Sequence, residues 1–284
     1  MEHLHREIQK YAIETLRPDG SSCLCLQYSS EQKIAEKYGC SLKSVEHAAL
    51  SRNIIPKRYL RNQNTLSNKN QQCLLNSHVA VVGLGGLGGY VIECLARIGV
   101  GTLTLIDGDS VTESNLNRQL LSSIDNLGAM KAEIAAKRVR AINPAVETTV
   151  CKEFLTINNG KQLLESADLV IDCLDTIQTR FAVESAAKAL NIPMVFSAIS
   201  GTSGQVMVIF PEDEGLVRIY GEKNEAASTG EEATSGTLAF AAMATAAHEC
   251  SEAITLLLQR PPALHKTLLF TDLADHSTEK ITMD

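Results

Sequence analysis

The sequence lacks the features that would indicate a membrane protein, a secreted protein or a cysteine-rich metal site. It has no run of eighteen apolar residues, and its start does not resemble a signal peptide. The eight cysteines are scattered, and none forms a C-x-x-C pair. This usage is typical of reduced thiols and argues against a zinc site built from cysteines. We therefore expect a cytoplasmic protein with no membrane partner and no zinc.

An excess of positive charge is also missing. The 284 residues carry a net charge of -7, so the chain as a whole is not built to bind a polyanion, and a nucleic-acid partner is not expected. Apolar residues make up 44% of the chain, which is ample for a large core. The length favours one α/β domain, over residues 57–284, preceded by a small helical segment over residues 1–56.

The N-terminal segment is predicted to contain helices over residues 3–16, 30–38 and 41–50, with Gly39 as a stop and Ser41 as a cap. The last two helices resemble a helix-turn-helix. However, the positive and negative charges of this segment nearly balance, whereas phosphate binding needs a clearly basic face. The pattern therefore favours packing or partner docking over DNA binding. Residues 57–64 are polar and basic, as in a solvated linker.

The most informative stretch is residues 79–89, where four apolar residues of a predicted buried strand are followed by glycines. Gly83, Gly85 and Gly88 form the pattern G-x-G-x-x-G ahead of a predicted helix. Such a turn lets a backbone approach a phosphate at a helix N-terminus. A second strand over residues 102–106 ends in Asp107, whose carboxylate can bind both hydroxyls of a ribose.

Two cations follow and favour ATP over a nicotinamide dinucleotide. Arg118 lies in a polar loop after the second strand, and Lys131 lies in the first turn of the next predicted helix. A lysine at that position is unfavourable for the helix dipole, so a role beside bound phosphates explains it better. A triphosphate needs matching cations in a partly desolvated site, whereas a dinucleotide dehydrogenase does not need this pair.

The second half supplies an acidic residue at the sheet edge where the glycine turn is expected. Asp175 lies just past the predicted strand over residues 168–173. It can cap the next helix, over residues 176–190, and it can also serve Mg²⁺; the two roles can coexist, and the metal role is favoured. Asp172 is interpreted as structural. The other predicted elements are strands over residues 193–198, 205–210 and 216–220, a mobile loop over 221–236, an alanine-rich buried helix over 237–258, and a closing hairpin over 266–272 and 278–283.

In combination, Gly83–Gly88, Asp107, Asn115–Gln119, Lys131 and Asp172–Asp175 resemble the adenylating domain of the MoeB, ThiF and HesA group, which ubiquitin-activating enzymes share. The resemblance runs from about residue 58 to the C-terminus. It implies a Rossmann-like α/β fold with a mixed, mainly parallel sheet flanked by helices, usually in a homodimer. It also implies ATP- and Mg²⁺-dependent adenylation of the C-terminal carboxylate of a small ubiquitin-like carrier protein ending in Gly-Gly. Pyrophosphate is released, and a separate sulfur donor then acts on the adenylate.

The resemblance also implies roles for individual residues. The nucleotide-binding residues it implies are Gly83, Gly85, Gly86, Asp107, Asn115, Asn117, Arg118, Gln119, Lys131, Asp175 and Thr176. The catalytic residues it implies are Arg61, Arg118, Lys131 and Asp175, and Asp175 would also hold the metal. Arg61 is the second arginine of the segment Arg58-Tyr59-Leu60-Arg61; in the family this arginine reaches the phosphates of the partner subunit.

Two departures from the family leave adenylation alone as the chemistry that the remaining residues support. The zinc-binding C-x-x-C pairs of many members are missing, and residues 221–236 contain no cysteine, so a thiol step loses its usual nucleophile. The same adenylation could act on a peptide or on tRNA threonylcarbamoyladenosine, as in a dehydratase, with the N-terminal segment holding the substrate. A nucleotide-binding regulator is a further alternative, and a nicotinamide-dependent oxidoreductase is disfavoured by Arg118 and Lys131.

Overall fold

The computed structural model describes residues 2–222 and 235–283. In these ranges a small N-terminal unit with a three-stranded sheet precedes a larger unit with an eight-stranded sheet. Across the same ranges no helix has the length and apolar character needed to cross a bilayer. The loop predicted over residues 221–236 falls largely outside the described residues.

The N-terminal unit combines helices with a small sheet. Its elements are α1 (Glu2–Tyr11), β1 (Ile13–Leu16), β2 (Ser22–Leu26), α2 (Tyr28–Tyr38), α3 (Leu42–Leu50) and β3 (Ile54–Pro56). The helix predicted over residues 3–16 is wrong beyond Tyr11, because the β-branched Ile13 and Thr15 pair with Cys25 and Cys23 across an antiparallel ladder. The strand β2 was not predicted, and it joins β1 to the parallel β3.

The two other helices predicted in this unit are confirmed together with their end signals. Gly39 adopts the left-handed conformation at φ 61°, which ends α2. The Ser41 hydroxyl accepts a hydrogen bond from the backbone N–H of Ser44 at 3.2 Å, which caps α3.

The larger unit is a mixed, mainly parallel sheet with helices on both faces, which confirms the predicted Rossmann-like fold class. Its elements are α4 (Asn68–Asn76), β4 (His78–Val82), α5 (Gly86–Ile98), β5 (Thr102–Ile106), α6 (Lys131–Ile142), β6 (Glu147–Cys151), α7 (Gly160–Leu164), β7 (Leu169–Asp172), α8 (Ile177–Leu190), β8 (Met194–Ser200), β9 (Ser203–Ile209), α9 (Val217–Tyr220), α10 (Ala239–Leu257), β10 (Thr267–Asp272) and β11 (Ser277–Thr282). The strand order is β11-β10-β9-β8-β7-β4-β5-β6, and the strands from β8 to β6 in that order are parallel.

Each face of the sheet has its own apolar core. Val79 and Val81 of β4 belong to a core shared with α5, α6 and α10, whereas Ala80 and Val82 belong to a second core shared with α8. This is why β4 consists of apolar residues throughout rather than alternating ones.

Several local predictions are corrected by the structure. Residues 216–220 were predicted to form a strand, but Val217–Tyr220 is a short helix. The strands predicted over residues 193–198 and 205–210 extend further toward each other, since β8 and β9 pair as far as Ser200 and Ser203. The alanine-rich helix α10 is not buried all round, since Phe240 and Met243 are 48% and 52% exposed.

The expected solvated linker is also a regular element. Lys57–Asn62 is a 3₁₀ helix, which we call the 57–62 helix, and its Tyr59 is fully buried. The boundary between the two units at residues 56 and 57 remains a prediction.

Candidate nucleotide-binding site

The cavity that collects most of the predicted residues lies where the strand order reverses. From β4 the chain builds β5 and β6 on one side and β7 and β8 on the other, so the β4–β7 boundary is a switch point. Loops at the carboxyl ends of such strands diverge and leave a crevice for a ligand. The cavity here has a volume of about 560 Å³, which is within the usual range for small-molecule sites.

Two of the motif glycines are required by close backbone contacts. Gly83 has φ 88°, and a Cβ there would lie 2.7 Å from the carbonyl oxygen of Cys173. A Cβ on Gly88 would lie 2.0 Å from the carbonyl oxygen of Gly83. Gly83 therefore allows the turn, and Gly88 lets α5 pack against that turn. The backbone at Gly85 and Gly86 lines the cavity.

Asp107 connects the glycine turn to the loop after β5. Its Oδ2 accepts the Leu84 N–H at 2.7 Å and its Oδ1 accepts the Asp109 N–H at 2.8 Å. Burial raises the pKa of the Asp107 carboxyl, while the charge of Lys131 opposes this effect. The carboxylate lines the cavity, and each of its oxygens has a lone pair left for a ligand.

Lys131 is the first residue of α6, as predicted, and its buried side chain reaches the cavity. Its Nζ lies 2.8 Å from Oδ2 of Asp109, whose side chain is more than half exposed. Because Asp109 is so exposed, the pair can rearrange when an anion enters, and Lys131 then carries a cation for it.

The loop after β5 separates into residues that line the cavity and residues that shape the loop. Arg118 and Gln119 line the cavity. The Asn115 side chain is instead buried and accepts the Thr112 N–H at 3.1 Å, and the Asn117 side chain accepts a hydrogen bond from Arg118 at 2.9 Å. Asn115 and Asn117 thus shape the loop in this structure, and their contact with the nucleotide remains a prediction.

Asp175 and Thr176 follow β7 and line the opposite wall. Asp175 is exposed and is not the cap of α8, since the residue in the cap position is Thr176. Within the described residues no hydrogen bond or ion pair engages the Asp175 carboxylate. Both of its oxygens are therefore available to a cation.

Arg180 stabilises the backbone of this wall. Its guanidinium donates to the carbonyl oxygens of Leu174 and Ser197 and lies 3.3 Å from Oδ2 of Asp172. Burial raises the pKa of Asp172 to about 6, against the opposing charge of Arg180. The interpretation of Asp172 as a structural residue agrees with this contact, which holds the loop that carries Asp175.

Sequence reasoning missed Asp109, Phe154 and Arg180, which all line the cavity. Phe154 follows β6 and sits against the backbone of Gly108, where a Cβ would lie 2.8 Å from the ring. The rule that parallel strands end at one edge could have identified it, because Phe154 comes shortly after the end of β6. No comparable local signal marked Arg180.

The last of the four predicted catalytic residues is Arg61. It is exposed on the 57–62 helix and is not among the residues that line its own cavity. Its side chain has no hydrogen bond or ion pair with any residue in the described ranges.

Comparison with known proteins decides the family. The sequence profile of the ThiF family matches residues 59–284. The chain belongs to the ThiF family. A relative in this family, the SAMP-activating enzyme E1 of Haloferax volcanii, is 35% identical over 208 residues, covering 73% of this chain and 77% of that protein.

Solved structures share the fold of this chain. The tRNA N6-threonylcarbamoyladenosine dehydratase of E. coli, solved in complex with ATP, has a TM-score of 0.60 and 25% identity, covering 72% of this chain and 94% of that chain. PaaA has a TM-score of 0.65 at 19% identity, covering 96% of this chain and 99% of that chain. The likeness to PaaA therefore includes most of the N-terminal unit as well as the ThiF fold.

Zinc content is a direct test of one departure from the family. Among the residues that the structure describes, no three His, Cys, Asp or Glu side chains are grouped as metal ligands. A structural zinc ion is held by four such ligands. We expect elemental analysis of protein purified without a metal-affinity step to find no stoichiometric zinc. About one zinc per chain would contradict this prediction.

Proposed function

We propose that this chain binds ATP with Mg²⁺ and adenylates the C-terminal carboxylate of a small ubiquitin-like carrier protein, releasing pyrophosphate. The observation that carries the proposal is the arrangement of Arg118, Lys131 and the unpaired Asp175 around the glycine turn in one cavity. A triphosphate brings about four negative charges, and two cations plus a metal ion match them. ThiF family membership supports the same chemistry.

The residues of the cavity suit the demands of phosphoryl chemistry. Attack of a carboxylate on the α-phosphate needs alignment and neutralisation of charge rather than a covalent group from the protein. The open backbone at Gly85 and Gly86 would hold phosphate oxygens, Asp107 would take the ribose hydroxyls, and Lys131 would stabilise the charge that develops at the reacting phosphate.

Asp175 would hold the Mg²⁺ ion. Magnesium in nucleotide sites usually takes one or two carboxylates together with phosphate oxygens and water, so a single free carboxylate at the cavity wall fits it. The ion would neutralise phosphate charge there. Arg180 holds the backbone beside Asp175 and would keep this carboxylate aimed at the cavity.

Arg61 would serve the site of a partner subunit in a homodimer. An exposed, unpaired arginine outside its own cavity is well placed to reach another chain, and its planar fork suits phosphate oxygens. Exposed apolar side chains in the loop after β5 and around the start of α10 offer a surface for a second copy: Leu120, Ile124, Leu127, Leu238, Phe240 and Met243.

The proposal is tested by ATP–pyrophosphate exchange with candidate carriers ending in Gly-Gly. Exchange should require Mg²⁺ and the carrier, and a carrier whose C-terminus is amidated should be inactive because it lacks the attacking carboxylate. Binding of NAD more tightly than ATP with magnesium present would contradict the proposal.

A second candidate substrate, a peptide held by the N-terminal unit, is favoured by the open edge of its sheet. β1 pairs only with β2 in the described structure, and Leu16 and Leu24 on one face are 62% and 40% exposed. An extended peptide can add to such an edge as a further strand. In the exchange assay a peptide would then replace the carrier, and Leu16→Glu would raise the KM for the peptide without changing that for a carrier.

A further inference from the structure

A buried cluster of charged residues joins the N-terminal unit to the 57–62 helix. The Arg58 guanidinium lies 2.7 Å from Oε2 of Glu31 on α2 and 3.1 Å from Oε1 of Glu46 on α3. Both glutamates are completely buried. Arg58 also lies over the ring of Tyr28, at 5.3 Å from its centroid. One guanidinium thus connects two helices of the small unit to the segment that carries Arg61.

The cluster continues into the larger unit. The Tyr59 hydroxyl donates to Oε2 of Glu46 at 3.0 Å and accepts from Nδ2 of Asn143 at 2.8 Å. Arg58 also donates to Oδ1 of Asn143, and this asparagine donates to the carbonyl oxygen of Ala96 at 3.0 Å. Two successive side chains of the 57–62 helix are therefore fixed from both units.

This attachment determines the orientation of Arg61. In a 3₁₀ helix, side chains at i and i+3 lie on the same face, so Arg58 and Arg61 share a face one turn apart. Tyr59 lies about 120° around the axis from Arg58. Holding both Arg58 and Tyr59 fixes the rotation of this short helix as well as its position, while Arg61 itself stays exposed.

Asn143 also connects this attachment to the nucleotide cavity. It is the residue that ends α6, and Lys131 is the first residue of the same helix. Twelve helical residues make a rod about 18 Å long. The rod therefore connects Lys131 in a chain's own site to the segment whose Arg61 would serve the neighbouring site.

Burying these charged groups costs free energy, which is unfavourable if the cluster serves stability alone. Burial raises the pKa of Glu46 to about 8, although the Arg58 charge opposes this, and burial also raises the pKa of Glu31. Apolar residues of similar volume often replace such buried ion groups without loss of stability. Directional contacts, in contrast, define one orientation of the groups they join.

We propose that Arg58 is a positioning residue: held by Glu31, Glu46 and Asn143, it fixes the 57–62 helix and thereby places Arg61 at the phosphates bound by the partner subunit. The inference rests on the proposed function, because it requires that Arg61 acts on the nucleotide. It adds that the N-terminal unit contributes to catalysis through the orientation of this arginine.

The first test is Arg58→Lys, which keeps the charge but cannot contact Glu31, Glu46 and Asn143 together with one ammonium group. We expect the adenylation rate to fall at least about tenfold, since a displacement of about 1 Å can cost about 10²-fold. Arg97→Lys is the matched control, because among the described residues Arg97 pairs only with Glu93, one turn away on the exposed side of α5. It should keep the full rate.

The second test separates positioning from folding. In a mixed dimer of Arg58→Lys with Lys131→Ala, the site of the Arg58→Lys chain receives a correctly placed Arg61 from its partner. Activity should recover to about a quarter of wild type, since half of the dimers are mixed and one of their two sites is complete. Mixing Arg58→Lys with Arg61→Ala should give no recovery. If Arg58→Lys does not fold, Tyr59→Phe should show the same pattern with a smaller loss.

Three results would overturn the inference in distinguishable ways. A full rate in folded Arg58→Lys beside an inactive Arg61→Ala would leave the proposed function intact and remove the positioning role. A loss that proven mixed dimers with Lys131→Ala do not restore would show that Arg58 acts within its own chain. A full rate in Arg61→Ala would instead remove the role of Arg61 itself.

Discussion

Replacing Lys131 by alanine should slow formation of the adenylate by about 10²-fold or more while the fold stays intact, in line with the loss of one preorganised charge-stabilising group. The ammonium group is buried in the cavity wall and has Asp109 as its ion-pair partner. Without it, the carboxylates of Asp107 and Asp109 would face the triphosphate with one cation fewer. Single-turnover formation of the acyl-adenylate and pyrophosphate from ATP and the carrier's C-terminal carboxylate measures the step directly.

A control variant is available on the same helix. Lys137 is exposed on α6 and outside the cavity, so Lys137→Ala removes an equal charge without touching the site. It should adenylate at the wild-type rate. If Lys131→Ala keeps the wild-type rate as well, Lys131 is only a structural partner of Asp109, and the proposed assignment of the site is wrong.

The nucleotide half of the chain was predictable because its signals are local. A buried apolar strand, a glycine turn and an apolar helical stripe follow one another within about twenty residues, and their order alone implies the crevice. Lys131 was identified from a local conflict with the helix dipole, and the structure does bring it to the cavity. Its catalytic role, like the role of each site residue, remains a prediction.

The N-terminal half was harder because its structure depends on distant partners. Ile13–Leu16 continues a helical pattern in sequence, yet the pairing of these residues with β2 forms a strand. Tertiary pairing commonly overrides weak local propensity in this way. The segment from residue 57 looked like a solvated linker because its arginines and tyrosine carry no sign of their partners. Those partners, Glu31, Glu46 and Asn143, come from three separate helical regions.

Mixing two inactive variants should restore activity if Arg61 acts across the dimer. Arg61→Ala and Lys131→Ala are each expected to be nearly inactive, the first because the partner's phosphates lose a bidentate cation. In mixed dimers one site combines Lys131 of one chain with Arg61 of the other. With random exchange and independent sites, activity should recover to about a quarter of wild type, because half of the dimers are mixed and half of their sites are complete.

The measurement requires proof that subunits exchange, for example by differently tagged chains recovered together, before the adenylation rate is read. Arg61→Lys is a useful companion, since it keeps the charge but loses the planar fork, and it should retain only part of the activity. If proven mixed dimers stay inactive, Arg61 acts in its own subunit or has no role. Action of Arg61 in its own subunit would require the exposed 57–62 helix to move toward its own cavity. The contacts of Arg58 and Tyr59 with both units oppose such a movement.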